Sequence, residues 1–543
     1  MSSPTEVGLP QPRAGVIARS PARWRWFPPL WIAALAALYG WIAYAAEDRG
    51  LVNSMAHICV AVAVTGLAAW VLVGSGLTAR WRRVIAVGPM LLLGAYYLQF
   101  LPIKVINDGD VGIVGWRWRW ADPDRGLHVP ATQASVSLPW RETPQDYPAF
   151  LGGRHWAEVE GVVLQTDWRT TPPKLLWKQP IGAGWSSFAV VGDYAVTQEQ
   201  RGDQELVTCY EAATGRVAWT HGDPVRWDPR GSGSLGGVGP RATPTIHAGR
   251  VYAHGATGLL NCLDARTGKL LWRHDTLAEH NGENVMWGKS GSPLVVDDWI
   301  VVSVGAEGAS LAAYDAVSGE QAWAAGDRQS SYATPVLAEL AGERQIVVVN
   351  EGYVTGHRAA DGAVLWEHLW PSSSNSSAAT SQPVPLDGDR LLLTKGYGLG
   401  GEVIEIRRDG DDFTTETLWK SSAVLKTKMG SALVRDGFAY GLNDVMFQCV
   451  DLATGRPRWT KRRSPSFGHG QSLLVGDVIL YLSEEGELVL LEATPAKYRE
   501  LASLPALEGV TWNNPALAGR LLLVRNAEQA ACFELPLADA DEL

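Results

Sequence analysis

The chain is short of cysteine, of positive charge and of metal-ligand spacing, and each shortage removes a class of function. Its five cysteines include no adjacent pair, no CxxC and no CxxCH. A zinc ribbon, a dithiol redox centre and a covalently attached c-type haem are therefore not encoded. Lys and Arg total 47 against 57 Asp and Glu, a formal net charge of −10. That balance excludes a nucleic-acid partner, because phosphate binding needs a basic face. The eleven histidines show no ligand spacing, and no Ser-His-Asp set is legible. "NDGD" (107–110), "LDGDR" (386–390) and "RDGDD" (408–412) lack the distal Glu of an EF-hand and read as turns. The glycine-rich "GSGSLGGVGP" (231–240) opens no helix and so forms no phosphate cradle.

What the chain does have begins with three apolar runs free of Asp, Glu, Lys and Arg. They are "FPPLWIAALAALYGWIAYAA" (27–46), "SMAHICVAVAVTGLAAWVLV" (54–73) and "VIAVGPMLLLGAYYLQFLPI" (84–103). Each is long enough to cross a hydrocarbon core of about 30 Å as a helix. Arg13, Arg19, Arg23 and Arg25 precede the first run, and Arg80, Arg82 and Arg83 separate the second from the third. The positive-inside rule then places the N-terminus in the cytoplasm and exports everything after the third crossing. The resulting plan has a cytoplasmic tail (1–26), a three-helix anchor (27–103), a connector (104–173), the main body (174–535) and an acidic tail (536–543). The location it predicts is the inner membrane, with the body on the periplasmic side. The connector carries "VGIVGWRWRW", whose Trp-Arg alternation fits either a membrane interface or an edge hairpin.

The main body is a repeat. "CYEAATGRVAWTH" (209–221), "CLDARTGKLLWRH" (262–274), "AYDAVSGEQAWAA" (313–325), "HRAADGAVLWEH" (357–368) and "CVDLATGRPRWTK" (449–461) are variants of one phrase. A degraded copy is "EIRRDGDDFTTETLWK" (405–420). The tryptophan anchors are Trp177, Trp219, Trp272, Trp323, Trp366, Trp419 and Trp459, spaced 40 to 53 residues apart. Short alternating strands at that period predict an all-β fold, a propeller of four-stranded antiparallel blades. The Thr-Gly turn gives each hairpin its positive φ, and the Trp that follows is placed to wedge neighbouring blades apart. Cys209, Cys262, Cys449 and Cys532 share one position in four copies and read as buried small side chains rather than disulfide partners.

Eight segments look like innermost strands, from "WSSFAVV" (185–191) to "NNPALAG" (513–519). The last has too few partners before the chain ends, and "KLLWKQPIG" is spare before the first. Docking the spare strand on the last blade closes an eight-bladed ring, with seven blades as the alternative.

The phrase resembles the tryptophan-docking repeat of the pyrroloquinoline-quinone (PQQ) family of propellers. "DYPAFLGG" (146–153) followed by "PPKLLWKQPIG" is similar to the stretch that opens those propellers. The resemblance implies one of two activities. Quinoprotein alcohol and glucose dehydrogenases hold the quinone and a calcium ion on the axis, whereas the outer-membrane-protein assembly lipoprotein is non-catalytic.

Residues just before the innermost strands should rim the central channel. They are Trp185, Arg241, Lys289, Tyr332, Lys428, His469 and Trp512, with Asn513 adjacent. Cations, a histidine and indoles in a ring suit an anionic or glycan ligand. No carboxylate falls in that set. Glu283 with Asn284, and Asn443 with Asp444, are the nearest candidates for a base or calcium ligands. The leading expectation is a membrane-anchored binding or assembly scaffold with protein partners or such a ligand. A PQQ- and calcium-dependent dehydrogenase is the first alternative and a polysaccharide-binding module the second.

Overall fold

In "CLDARTGKLLWRH" the strand Leu259–Asp264 ends on a carboxylate that accepts the Thr267 backbone N–H at 2.9 Å and its hydroxyl at 2.7 Å. Gly268, at φ +69°, reverses the chain, and Leu270–Asp275 returns antiparallel. Asp451 caps Thr454 in the same way, and Asp315 caps Ser318. Across the hairpin, Cys262 lies opposite Trp272; Cys209–Trp219, Cys449–Trp459 and Cys532–Trp177 repeat the pairing. All four thiols are buried and unbridged. Burial pushes those of Cys262 and Cys532 up to about 12, so they act as small apolar fillers.

Five of the seven indoles then donate out of their own blade. Trp219 Nε1 donates to the Ala265 carbonyl at 2.9 Å, Trp177 to Ala212 at 2.7 Å, Trp419 to Leu452 at 2.7 Å and Trp459 to Thr494 at 2.9 Å. Trp272 makes a longer bond to Ala316 at 3.4 Å. Every acceptor lies in the turn of the next blade. The turn glycine lies flat beneath the incoming ring: a Cβ on Gly268 would stand 2.5 Å from Trp219, and one on Gly215 would stand 2.7 Å from Trp177. One glycine thus serves twice, supplying the positive φ and leaving room for the indole. That double demand explains why Thr-Gly and Trp recur together.

The structure, a computed structural model, describes residues 26–45, 49–73, 75, 77–97, 103–107, 113–118, 121, 126–130, 137–153, 156–229, 236–372 and 377–538. The cytoplasmic tail before Trp26, positions 231–235 of the glycine-rich stretch, most of "NDGD" and the last five residues lie outside them. The chain divides into two units, Met1–Trp120 and Ala121–Leu543. The expected connector is therefore split between them.

The second unit is an eight-bladed propeller. Blade 1 contains Ala189–Val191, Tyr194–Arg201, Gln204–Glu211 and Val217–Asp223, and blades 2 to 7 follow in chain order. Blade 8 is completed by the strand Lys174–Pro180, which pairs antiparallel with Gln529–Glu534 and sets Trp177 opposite Cys532. The ring therefore closes with the first strand of the propeller, leaving no bare edge at the seam. Innermost strands of adjacent blades pack on one another around the axis.

Residues 145–153 and 156–164 run along the turns between first and second strands of blades 1, 2, 7 and 8. Tyr147 exchanges backbone bonds with Val190 of blade 1, and the Pro148 carbonyl accepts from Ile246 of blade 2 at 2.8 Å. Glu158–Val159 adds a parallel fifth strand to Gln471–Val475 of blade 7. Tyr147, Leu151, Ala157, Val159 and Val162 are buried in the same core as blades 7 and 8. "DYPAFLGG" thus belongs to a segment, the stopper, that covers the ends of blades 1, 2, 7 and 8 on one face.

The first unit holds three helices, α1 (Phe27–Ala45), α2 (Arg49–Val73) and α3 (Ala79–Tyr97), and a hairpin of β1 (Ile103–Asn107) and β2 (Ile113–Trp118). Among the described residues two helices are long and apolar enough to cross a membrane, over Phe27–Tyr44 and Val52–Val73. The expectation of three such spans is not met by α3. That helix takes Arg80, Arg82 and Arg83 into its first turns, so residues expected in a charged link are helical.

Candidate functional site

The face opposite the stopper is built from two sets of loops, those leading into the innermost strands and those joining second to third strands. The residues expected at the channel mouth all lie in the first set, and most of them are occupied. Trp185 and Trp512 pack against each other across the seam between blades 1 and 8, ring centroids 4.6 Å apart and planes tilted by 36°. Trp185 Nε1 donates to the Gly236 carbonyl, and Trp512 Nε1 donates to Glu484 Oε1 at 2.7 Å. Asn513 is buried; its Nδ2 donates to the Ser186 carbonyl at 2.8 Å, while its Oδ1 has no hydrogen-bond partner among the described residues. Arg241 donates to the carbonyls of Gly236 and Gly237 at 3.0 and 2.9 Å, and burial lowers its pKa to about 10.

Lys289 is buried, with Nζ donating to Ser330 Oγ at 2.8 Å and to the Val304 carbonyl. Desolvation lowers its pKa to about 8, against the opposing charge of Glu351. Tyr332 sits edge-on to Trp287, centroids 5.3 Å apart, and burial raises its phenol. The Lys428 ammonium lies 5.8 Å from the centre of the Tyr397 ring. The buried His469 donates its backbone N–H to Glu484 Oε2 at 3.2 Å.

Of the second set of loops, which carries further buried charge, sequence reasoning named only Asn443 with Asp444. Lys395 is buried, with Nζ donating to the Ser377 carbonyl at 2.6 Å and the Trp370 carbonyl at 3.2 Å; desolvation lowers its pKa to about 8. Arg525 is buried at the seam, where it donates to Thr197 Oγ1 (2.8 Å) and to the carbonyls of Gln198 (3.0 Å) and Gly182 (2.8 Å). Glu199 accepts from Thr208, Tyr210 and the Gly182 N–H, and pairs with Arg201 at 3.0 Å. Its full burial opposes ionisation, yet Arg201 and Arg525 hold it below the ordinary carboxyl range. A signal for this set does exist: one polar residue ends an apolar second strand in many blades, as in "RVYAH", "LLLTK" and "LLLVR".

Glu205 is the exception among the buried carboxylates. It accepts one backbone N–H, from Ala256 at 3.3 Å, and desolvation raises its pKa to about 7. Of the candidates from the sequence, Asn284 donates to the Ala256 carbonyl at 2.9 Å and Glu283 is an exposed loop residue. Asp444 faces Lys426 at 3.5 Å, and Asn443 Oδ1 accepts the Lys426 N–H at 3.4 Å.

Calcium takes six to eight oxygens, several from carboxylates converging on one point. The carboxylates of this face do not converge. Glu199, Asp444 and Glu484 are each tied to a different cation or indole, and the described residues contain no group of three or more His, Cys, Asp or Glu side chains placed to hold a metal. The two packed indoles are also too close together to sandwich a third ring. The residues present do not fit calcium with a planar quinone.

Residues 203–461 match the family described as PQQ_2, outer membrane protein assembly factor BamB. Alcohol dehydrogenase (quinone), dehydrogenase subunit, of Acetobacter aceti is 24% identical over 292 residues, 47% of this chain and 33% of that protein. Outer membrane protein assembly factor BamB of Moranella endobia (strain PCIT) is 23% identical over 289 residues, 51% of this chain and 68% of that protein. Among solved structures, quinohemoprotein alcohol dehydrogenase ADHIIG from Pseudomonas putida HK5 superposes with a TM-score of 0.52 at 13% identity, covering 73% of this chain and 81% of that one. The chain spans only a fifth to a third of the length of the quinone-dependent alcohol dehydrogenases it matches.

Proposed function

We propose that this chain, whose blades carry the PQQ-type propeller repeat, is a membrane-anchored scaffold that presents the propeller outside the cytoplasm for binding. The anchor reading is supported by α1 and α2 and by the arginines that flank the apolar runs. The run 84–103, which includes most of α3, supplies the third crossing in this reading. The stopper covers the ends of four blades on one face, which favours the opposite loop face as the binding surface.

One observation carries the choice of scaffold over dehydrogenase. The indoles and cations that would grip a quinone are spent on the protein itself: Trp185 on Trp512, Lys289 and Lys395 on carbonyls of neighbouring loops. Side chains used in this way lock blades together and keep the loop face rigid, which suits a docking platform.

The test is reconstitution of the purified full-length protein with PQQ and calcium. The scaffold reading expects no bound quinone absorbance and no dye reduction with alcohols or sugars. Stoichiometric uptake accompanied by dye reduction overturns it. Lys289→Ala and Lys428→Ala provide the second arm. Loss of quinone uptake in these variants would assign the loop face to the cofactor, against the scaffold reading.

A further inference from the structure

The hairpin β1–β2 stands apart from the propeller's economy of buried aromatic rings. It is a two-stranded sheet on its own. Ile113, Trp116 and Trp118 expose 58%, 62% and 43% of their surface, and the two indoles meet edge-on at 5.7 Å. The register sets Trp118 opposite Ile103, Trp116 opposite Val105 and, between them, Arg117 opposite Lys104. Strand alternation therefore separates an aromatic and aliphatic set of positions from a basic set. An isolated two-stranded hairpin is marginal in water, so an exposed aromatic face of this kind calls for a cover.

Chain connectivity limits what the cover is. β1 begins at Ile103, six peptide steps after α3 ends at Tyr97. Six steps reach at most about 20 Å. Tryptophan is the residue most suited to the boundary between hydrocarbon and headgroups, having a large apolar body and one N–H donor.

We propose that β1–β2 is a membrane-interface clamp: its Trp116/Trp118 face lies at the headgroup level of the bilayer. The inference rests on the membrane anchoring of α1 and α2 proposed above. Its consequence is that the anchor ends in a fixed collar instead of a free linker.

The full-length protein in bilayers of mixed anionic and zwitterionic lipid provides the test, with an environment-sensitive thiol dye at one site at a time. Cys59 in α2 is a native reporter of insertion, since the other four cysteines are buried. The hairpin reporter is Trp116→Cys in a Cys59→Ala background, and Glu485→Cys, on an exposed loop of blade 7, is the control. The proposal expects the dye at 116 to be quenched several-fold more by headgroup-level nitroxide lipids than the dye at 485. It also expects Trp118→Ala to reduce that quenching. If Cys59 is quenched by nitroxides deep in the bilayer while 116 reads as solvent, the clamp is refuted and the anchor stands. A blue-shifted but unquenched dye at 116 means that protein covers the face, which also refutes the clamp. An unquenched Cys59 refutes the anchor, and the clamp falls with it.

Discussion

Glu205 offers the sharpest quantitative test of the loop face. Its carboxyl is buried beside Gly255, where a Cβ would stand 2.0 Å from Oε1, and burial raises its pKa from 4.5 to about 7. A carboxyl whose folded pKa is raised keeps its proton in the native state at a pH where the unfolded chain has already released it. Between pH 4.5 and 7 the native state therefore holds more protons, and stability falls as pH rises through that window. The full penalty is 2.5 pKa units, or roughly 3 kcal/mol above pH 7 and about 1 kcal/mol at pH 5.

Glu205→Gln removes the ionisable proton and keeps an oxygen for the Ala256 N–H. For a cooperative unit spanning Ala121–Leu543, unfolding entropy of about 2.1 cal/mol/K per residue converts 3 kcal/mol into a Tm rise of about 3–4 °C. Differential scanning calorimetry of the detergent-solubilised full chain should show that rise at pH 8 and about 1 °C at pH 5. Equal shifts at both pH values, or a variant less stable than the parent at pH 8, would refute the account of Glu205 as a carboxyl held protonated by burial.

Three further outcomes follow from the ring. Trp219→Ala removes a buried indole and its bond to Ala265 and should cost roughly 3–5 kcal/mol, seen as an earlier urea transition. Gly268→Ala should also destabilise, because the added methyl meets Trp219 at 2.5 Å and the backbone stays at φ +69°; unchanged unfolding would mean the indole is not seated on that turn. Trp177→Ala removes the indole that lies opposite Cys532 and bonds to Ala212, and should loosen the closing strand, increasing amide exchange in Gln529–Glu534 before other blades. Exchange rising evenly round the ring would count against a closure that depends on that strand.

The eight-blade count, the closing strand and the hairpin turns were all legible in the sequence, because each is written in a short window. Asp264, Thr267 and Gly268 define a turn within five residues, and alternation around Cys262 defines the strand that enters it. The residues of the loop face were legible only in part. Trp185, Arg241, Lys289, Tyr332, Lys428, His469, Trp512 and Asn513 could be found by their place ahead of an innermost strand, but their partners could not. Asn513 reaches Ser186, 327 residues earlier, and Arg525 reaches Thr197 across 328. No local pattern encodes such a meeting.

Trp366 marks the same boundary. The periodicity groups it with the docking indoles, yet its Nε1 donates to Gln345 of its own blade at 2.6 Å, and its ring lies on Gly356. The next blade explains the difference: its outer hairpin, Gly400–Asp409 with Asp412–Ser421, is long and lacks the Thr-Gly turn that would receive the ring. Trp323 rests on Gly362 without a bond from its Nε1 among the described residues.

The sequence by itself determined the blades, because strand alternation and turn chemistry act between near neighbours and repeat at a fixed interval. Only the tertiary structure decided the stopper at 145–164, the buried charges at the ends of second strands and the direction Trp366 takes. Those features depend on surfaces that come together only once the ring has closed, and residues hundreds apart in the chain then share a single dielectric environment.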